Sequence, residues 1–202
     1  ALPRVPLPLF GFGCTCVLEA LRQGSDEPFK MLATQLARDG WVAIDTGLSP
    51  VVLREMRDEG ERAWPYMVAG KVTSRDGTVH EGVSPSGAAR GDRYVLTTDL
   101  ERFEGEWPAV HALEGLMHAI GSALAPALEG EPRLGFQLLT ASHGMLARFS
   151  GDGLGYGVHL DGDGVRTKLT MILYACEAWR QEDGGELAML DERIDGRHCW
   201  HC

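Results

Sequence analysis

The chain has no apolar run long enough to cross a bilayer. The longest early stretch, residues 7–18, is broken by Pro8, Gly11 and Gly13, whereas a helical span needs roughly 20 consecutive apolar residues. The same stretch lacks the basic start, unbroken core and small-residue cleavage site of a signal peptide, so a cytoplasmic location is expected, with the nucleus as a second compartment. Positive charge is also short: 19 Lys and Arg face 29 Asp and Glu, for a formal net charge of −10. Nucleic acid and anionic membranes select clustered basic side chains, so neither is expected as a partner. A disulfide framework is missing too, because the five cysteines, at 14, 16, 176, 199 and 202, are odd in number and irregular in spacing. The ending His198-Cys199-Trp200-His201-Cys202 holds soft donors, but a structural zinc site needs a second ligand pair.

What is present suffices for one sizeable core: 202 residues, 44% of them hydrophobic. We expect residues 1–22 to be a loose N-terminal arm and residues 23–202 a single domain. Phe29, Leu32 and Leu36 recur at helical spacing, with Ser25 or Asp26 to cap the start and Gly40 to stop the run. Residues 41–45 form a short β-prone segment. Ser49-Pro50 then supplies an N-cap and a first-turn proline for a second helix reaching about Trp64. Residues 69–92 are rich in glycine and predict a long loop. Val110, Leu113, Met117, Ile120 and Leu124 mark a third helix from Pro108 to near Pro126. From Leu134 the period becomes strand-like, with β candidates at 135–140, 145–149, 156–160, 167–175 and 186–190. Helices first and antiparallel strands second make an α+β layout.

Two motifs fail on inspection. Gly151, Gly153, Gly155 and Gly157 lead into a β segment rather than a helix, so they do not form a nucleotide-binding fingerprint; a tight turn and close approach of a ligand suit them better. Asp161-Gly162-Asp163-Gly164 begins like a calcium loop, yet its fifth and twelfth positions are Val165 and Ile172, which offer no side-chain oxygen. The triplet His159-Leu160-Asp161 remains. Residues two apart on a strand point to one face, so its imidazole and carboxylate can converge on one ion. Such a pair suits Fe(II), and one more His completes a facial triad; taken alone, a His beside an Asp in a turn more often serves as a structural hydrogen bond.

The surroundings of the triplet carry more. Phe149, the turn 151–155, Gly155-Tyr156, His159-x-Asp161, Gly162-Asp163-Gly164, Tyr174, Trp179 and Gly184-Gly185 follow one another in an order that resembles the oxygen-sensing prolyl 4-hydroxylases of the 2-oxoglutarate and Fe(II) dioxygenase superfamily. Gly40-Trp41-Val42 and Arg90-Gly91-Asp92 extend the match upstream, so the resemblance covers about residues 30–190. It implies a double-stranded β-helix, or jelly roll, with the N-terminal helices packed on the sheet. It implies His159 and Asp161 as iron ligands, Tyr174 in the 2-oxoglutarate pocket, and Fe(II), 2-oxoglutarate and L-ascorbate as cofactors. Thr170, Ile172 and Tyr174 share parity, and would face the barrel interior. The implied partner is a proline-containing protein or peptide, with the 70–92 loop as a lid over it.

Two features depart from the family. Phe149 occupies the place of a tyrosine that would offer its phenol to 2-oxoglutarate, so only the position is kept and the hydroxyl is absent. The third ligand and the basic clamp for the far carboxylate of 2-oxoglutarate would, by the family spacing, lie beyond Cys202. We therefore expect a catalytic domain incomplete at its C-terminus, with His201 as the candidate third ligand inside the chain and Lys168 as a solvated strand-end residue. The alternatives are a catalytically incompetent binding or regulatory module on the same fold, and a cupin-like metal enzyme without 2-oxoglutarate.

Overall fold

The computed structural model describes residues 4–5, 17–44, 46–74, 76–83, 87, 89–134, 144–149, 151, 161, 169–176, 180–183, 187, 189–191 and 199–201. Within them the chain is α+β, with five helices and eight short strands. Strand β1 (Arg4–Val5) precedes helices α1 (Val17–Gln23), α2 (Glu27–Asp39) and α3 (Pro50–Ala63), and a 3-10 turn over Trp64–Tyr66. Then come β2 (Val68–Ala69), β3 (Lys71–Thr73), β4 (Val79–Glu81), β5 (Asp92–Leu96), α4 (Thr97–Leu100) and α5 (Pro108–Glu129). Strands β6 (Met145–Phe149), β7 (Met189–Asp191) and β8 (Cys199–His201) follow. The sheets are small: β2-β5-β6 and β3-β4 are antiparallel, and β1-β8-β7 combines one parallel with one antiparallel pair. Among the described residues no sheet closes into a barrel.

The helix signals act where local chemistry demands them. Ser49 Oγ accepts the Val52 N–H at 3.4 Å and Pro50 opens α3, while Gly40 ends α2 in the left-handed region, its N–H donating to Leu36 O at 2.8 Å. Helix α5 runs on through Pro126 to Glu129 instead of ending there. The proline has no N–H for the Ser122 carbonyl, but Leu124 and Leu128 on either side are buried in the core, and that burial outweighs one missing bond.

Helix α5 spans two apolar clusters. At one end Ile120, Leu124 and Leu128 pack with Val17 and Ala20 of α1 and with Phe29, Leu32 and Ala33 of α2. Near its start Val110 joins Ala63, Met67, Val95, Leu100, Trp107 and Leu146. Here Tyr66 stacks on Phe103 at 4.2 Å and meets Trp107 edge-on at 6.4 Å.

Several expectations need correction. Of the arm expected over residues 1–22, residues 17–22 belong to α1, where Val17 and Ala20 are buried, and residues 1–3 and 6–16 lie outside the described residues. Residues 41–44 form no strand, although Val42 and Ile44 pack on the α1-α2-α5 cluster. The 69–92 loop contains the β3-β4 hairpin, turned at Gly77 with φ 85°, and after it the isolated bridge Val83–Ala89. Of the strand candidates, 145–149 is β6 with the same bounds, and 189–190 of the last falls in β7. Residues 169–175 form no strand, while 135–140 and 156–160 lie outside the described residues.

Candidate functional site

The β5-β6 pair is the frame on which the site is built. In register, Leu96 opposes Met145, Val95 opposes Leu146, Tyr94 opposes Ala147, Arg93 opposes Arg148 and Asp92 opposes Phe149. Opposed residues share a face, so Val95 and Leu146 turn to the α3-α5 cluster while Leu96, Met145 and Phe149 turn away from it. Val68, opposite Tyr94 on β2, joins this second face, and all four of these apolar side chains are exposed.

The 169–176 segment repeats the division. Leu169 and Met171 pack on the α1-α2-α5 cluster, and a Cβ on Gly121 of α5 would lie 3.4 Å from Met171 Cε. Thr170, Ile172 and Tyr174 take the alternate positions and are exposed. Their shared parity is therefore kept, but the side they occupy is open, with Ile172 55% and Tyr174 51% accessible. Phe149, at 47%, also points away from the helices. Burial, followed by the neighbouring Cys176, pushes the Tyr174 phenol above its ordinary pKa of 10.0. At neutral pH it keeps its proton and acts as a hydrogen-bond donor.

Beside Phe149, the frame is locked by a buried ion pair. Arg90 donates through Nε and Nη2 to Asp92 Oδ1 and Oδ2 at 2.8 and 2.9 Å, a two-pronged fork with side chains only 1% and 4% accessible. Gly70 N–H donates to Asp92 O at 3.0 Å, Gly82 N–H to Gly70 O at 2.9 Å and Arg90 N–H to Gly82 O at 3.0 Å. A Cβ on Gly70 would collide with the Asp92 carboxylate, so glycine is required there by close approach. The base of the hairpin is thereby tied to the strand facing Phe149.

Glu114 on α5 ties the opposite end. Its Oε1 accepts the Thr97 hydroxyl at 2.6 Å and the Gly144 N–H at 2.6 Å, and His111 Nδ1 lies 3.8 Å from Oε2. Burial acts to raise its pKa, but the hydrogen bonds from Thr97 and Gly144, with His118 and His111 nearby, outweigh it and hold the carboxyl below its ordinary 4.5.

Of the residues selected from sequence, Phe149 and Tyr174 lie on the side of their segments facing away from the helices. Asp161 is exposed at a bend. His201 lies in β8, with Val5 and Met189 as its cross-strand neighbours. His159 and Lys168 lie outside the described residues, as do Tyr156, Trp179, Gly184 and Gly185. Among the described residues, no group of three His, Cys, Asp or Glu side chains is placed to hold a metal ion, and no helix is long and apolar enough to cross a membrane. Sequence reasoning singled out Arg90 and Asp92 without their pairing; the signal was two opposite charges at i and i+2 entering a strand. It missed Glu114 and Glu59, the latter on the α3 stripe of Val52, Met56 and Ala63, where a carboxylate among apolar positions marks a buried acceptor. No protein-family model, no curated protein and no solved structure matches the chain.

Proposed function

We propose that the chain is a 2-oxoglutarate- and Fe(II)-dependent dioxygenase that hydroxylates a prolyl residue of a protein substrate, on a jelly roll whose outer face carries the helices. The observation that carries this reading is the division of faces: β6 and the 169–176 segment both back onto clusters built on α5 and turn Phe149, Ile172 and Tyr174 to the open side. Such a side is what the inner wall of a jelly roll presents before its remaining strands cover it.

The donor chemistry fits the metal. A neutral imidazole at His159 and a carboxylate at Asp161 suit Fe(II) and leave coordination positions open; iron and 2-oxoglutarate, when bound, supply the oxidising chemistry for C–H hydroxylation, and ascorbate keeps the metal reduced. The protein's own part is to bind and orient. Tyr174, still protonated at neutral pH, donates to an oxygen of 2-oxoglutarate, and Phe149 offers that co-substrate an apolar wall. His201 is the candidate third ligand. The β3-β4 hairpin, tied at its base through Gly70 and Gly82, serves as the cover over the peptide; equal proteolysis of it with and without a proline-containing peptide would count against this role.

The test is an anaerobic titration with Fe(II) and 2-oxoglutarate, read as a weak visible charge-transfer band, followed by succinate release in air. His159→Ala should abolish both, and unchanged iron affinity in that variant sinks the assignment. A chain that binds a proline-containing peptide but yields no band and no succinate would be the regulatory module instead.

A further inference from the structure

The back of the β5-β6 pair holds an arrangement that the proposed activity does not use. Arg93 and Arg148 are direct cross-strand partners, and like charges placed opposite each other destabilise a sheet. Both guanidinium groups lie against one ring: Arg93 Cζ is 5.0 Å and Arg148 Cζ 4.8 Å from the centroid of Trp64. The indole face attracts both cations but neutralises neither.

The remaining partners are sparse. Arg93 donates from Nη2 to the Met67 carbonyl, while its Nε is buried without an acceptor. Arg148 meets the Glu61 carboxylate at 3.7 Å, and that carboxylate is 70% accessible. An exposed pair at this distance contributes little. Two forks, ten N–H donors between them by their chemistry, therefore converge on one indole with a single loosely held carboxylate among the described residues. All this belongs to a chain of net charge −10, so anions are repelled at long range, and a site here depends on local donors.

We propose that Arg93 and Arg148, held on Trp64, form a binding site for a phosphate dianion, free or as a phosphomonoester, with Glu61 occupying the place of the ligand when it is absent. A tetrahedral dianion has the charge to neutralise both guanidinium groups and enough oxygens for both forks, including the buried Arg93 Nε–H, which a single carboxylate at Arg148 leaves unsatisfied. Glu61, at the edge of α3, swings into solvent as the ligand enters.

The experiment uses the full 202-residue chain, titrated with inorganic phosphate and, separately, with O-phosphoserine, by phosphorus NMR and calorimetry at ionic strength held constant with sodium chloride. Saturable binding in the millimolar range is expected, weakened about tenfold by Arg148→Ala. Arg148→Lys keeps the charge, loses the planar fork and should weaken binding several-fold; Glu61→Gln removes the competitor and should tighten it several-fold. Should Arg148→Ala fail to fold, the two conservative variants carry the test. Tighter binding of O-phosphoserine identifies a phosphomonoester as the ligand, and equal or weaker binding identifies the free ion. Titration that does not saturate, or saturates equally in wild type, Arg148→Lys and Glu61→Gln, overturns the proposal.

Discussion

Glu59 caps a helix to which it does not belong. Helix α5 starts at Pro108, and Trp107 before it offers no side-chain acceptor. Glu59, on α3 and 50 residues before Ala109, accepts the Ala109 N–H at 3.0 Å and the Val110 N–H at 2.8 Å with its side chain 4% accessible. Those two donors belong to the first turn, where no intrahelical carbonyl reaches them, and the carboxylate also faces the positive end of the helix dipole. Hydrogen bonds to a charged acceptor contribute about 1.5–3 kcal/mol each, and the charge–dipole attraction adds about 0.3–2 kcal/mol. Glu59→Gln keeps the volume and one carbonyl oxygen, so it retains one weaker bond and loses the other together with the charge. The expected loss is about 2–4 kcal/mol, from the same magnitudes. For a domain of this size each kcal/mol lowers Tm by about 2–4 °C, so the drop should be roughly 5–15 °C. Glu59→Ala leaves both N–H groups buried without an acceptor and should cost about 4–5 kcal/mol. Arg62, 3.9 Å from Glu59 and half exposed, is the control, since removing an exposed partner costs about 1 kcal/mol or less. Urea unfolding with an unchanged m-value and calorimetry are the measurements. A Gln variant within about 0.5 kcal/mol of wild type, the range of an ordinary surface change, would refute the capping role.

Glu114 should make the chain acid-sensitive in a defined direction: its folded pKa lies below the ordinary 4.5, so its contribution is complete above that value and is lost as pH falls through the folded pKa. Glu114→Gln should flatten stability against pH in the acid limb below the ordinary 4.5, and an unchanged slope there argues against the clamp on Thr97 and Gly144. Asp92→Ala should cost about 3–5 kcal/mol because it takes the two-pronged carboxylate fork from the buried Arg90 guanidinium; Gly70→Ala should cost about 1–3 kcal/mol by overpacking. Since the added methyl collides with the Asp92 carboxylate itself, Gly70→Ala should cost almost nothing in the Asp92→Ala background, and additive losses in the cycle would show that the two do not touch. Under the proposed function, Phe149→Tyr supplies the missing phenol and should lower the KM for 2-oxoglutarate several-fold with little change in kcat; an equal KM removes Phe149 from that pocket.

How much could be read in advance depended on whether the signal was local. Ser49-Pro50 opens one helix and Gly40 closes another through bonds to residues three or four away, and β6 is a short run bounded by Gly144 and Ser150, so each was legible. The same reasoning failed at 41–44, where β-prone residues pack on helices without a strand partner, and at 69–92, where glycines suggested a loop but Lys71–Thr73 found Val79–Glu81. Pairing is a property of two segments, and neither carries it alone. Among the site residues, the parity of Thr170, Ile172 and Tyr174 followed from period two, whereas the side left open followed from α5 covering the other one.

The amino-acid order by itself determined an α+β chain, the bounds of α2, the start of α3 and the extent of β6, and the His159-x-Asp161 pair with its family resemblance, because these rest on spacing and capping within a few residues. Only the tertiary structure decided that α1 belongs to the core, that Glu59 and Glu114 anchor α5 to its neighbours, that Asp92 is locked by Arg90 against Gly70, and that Arg93 and Arg148 share Trp64. The physical reason is sequence separation. Glu59 lies 50 residues before its acceptor bond at Ala109, and Glu114 lies 30 before Gly144. A buried carboxylate is tolerated only where distant donors meet it, and no local window contains both halves of such a contact.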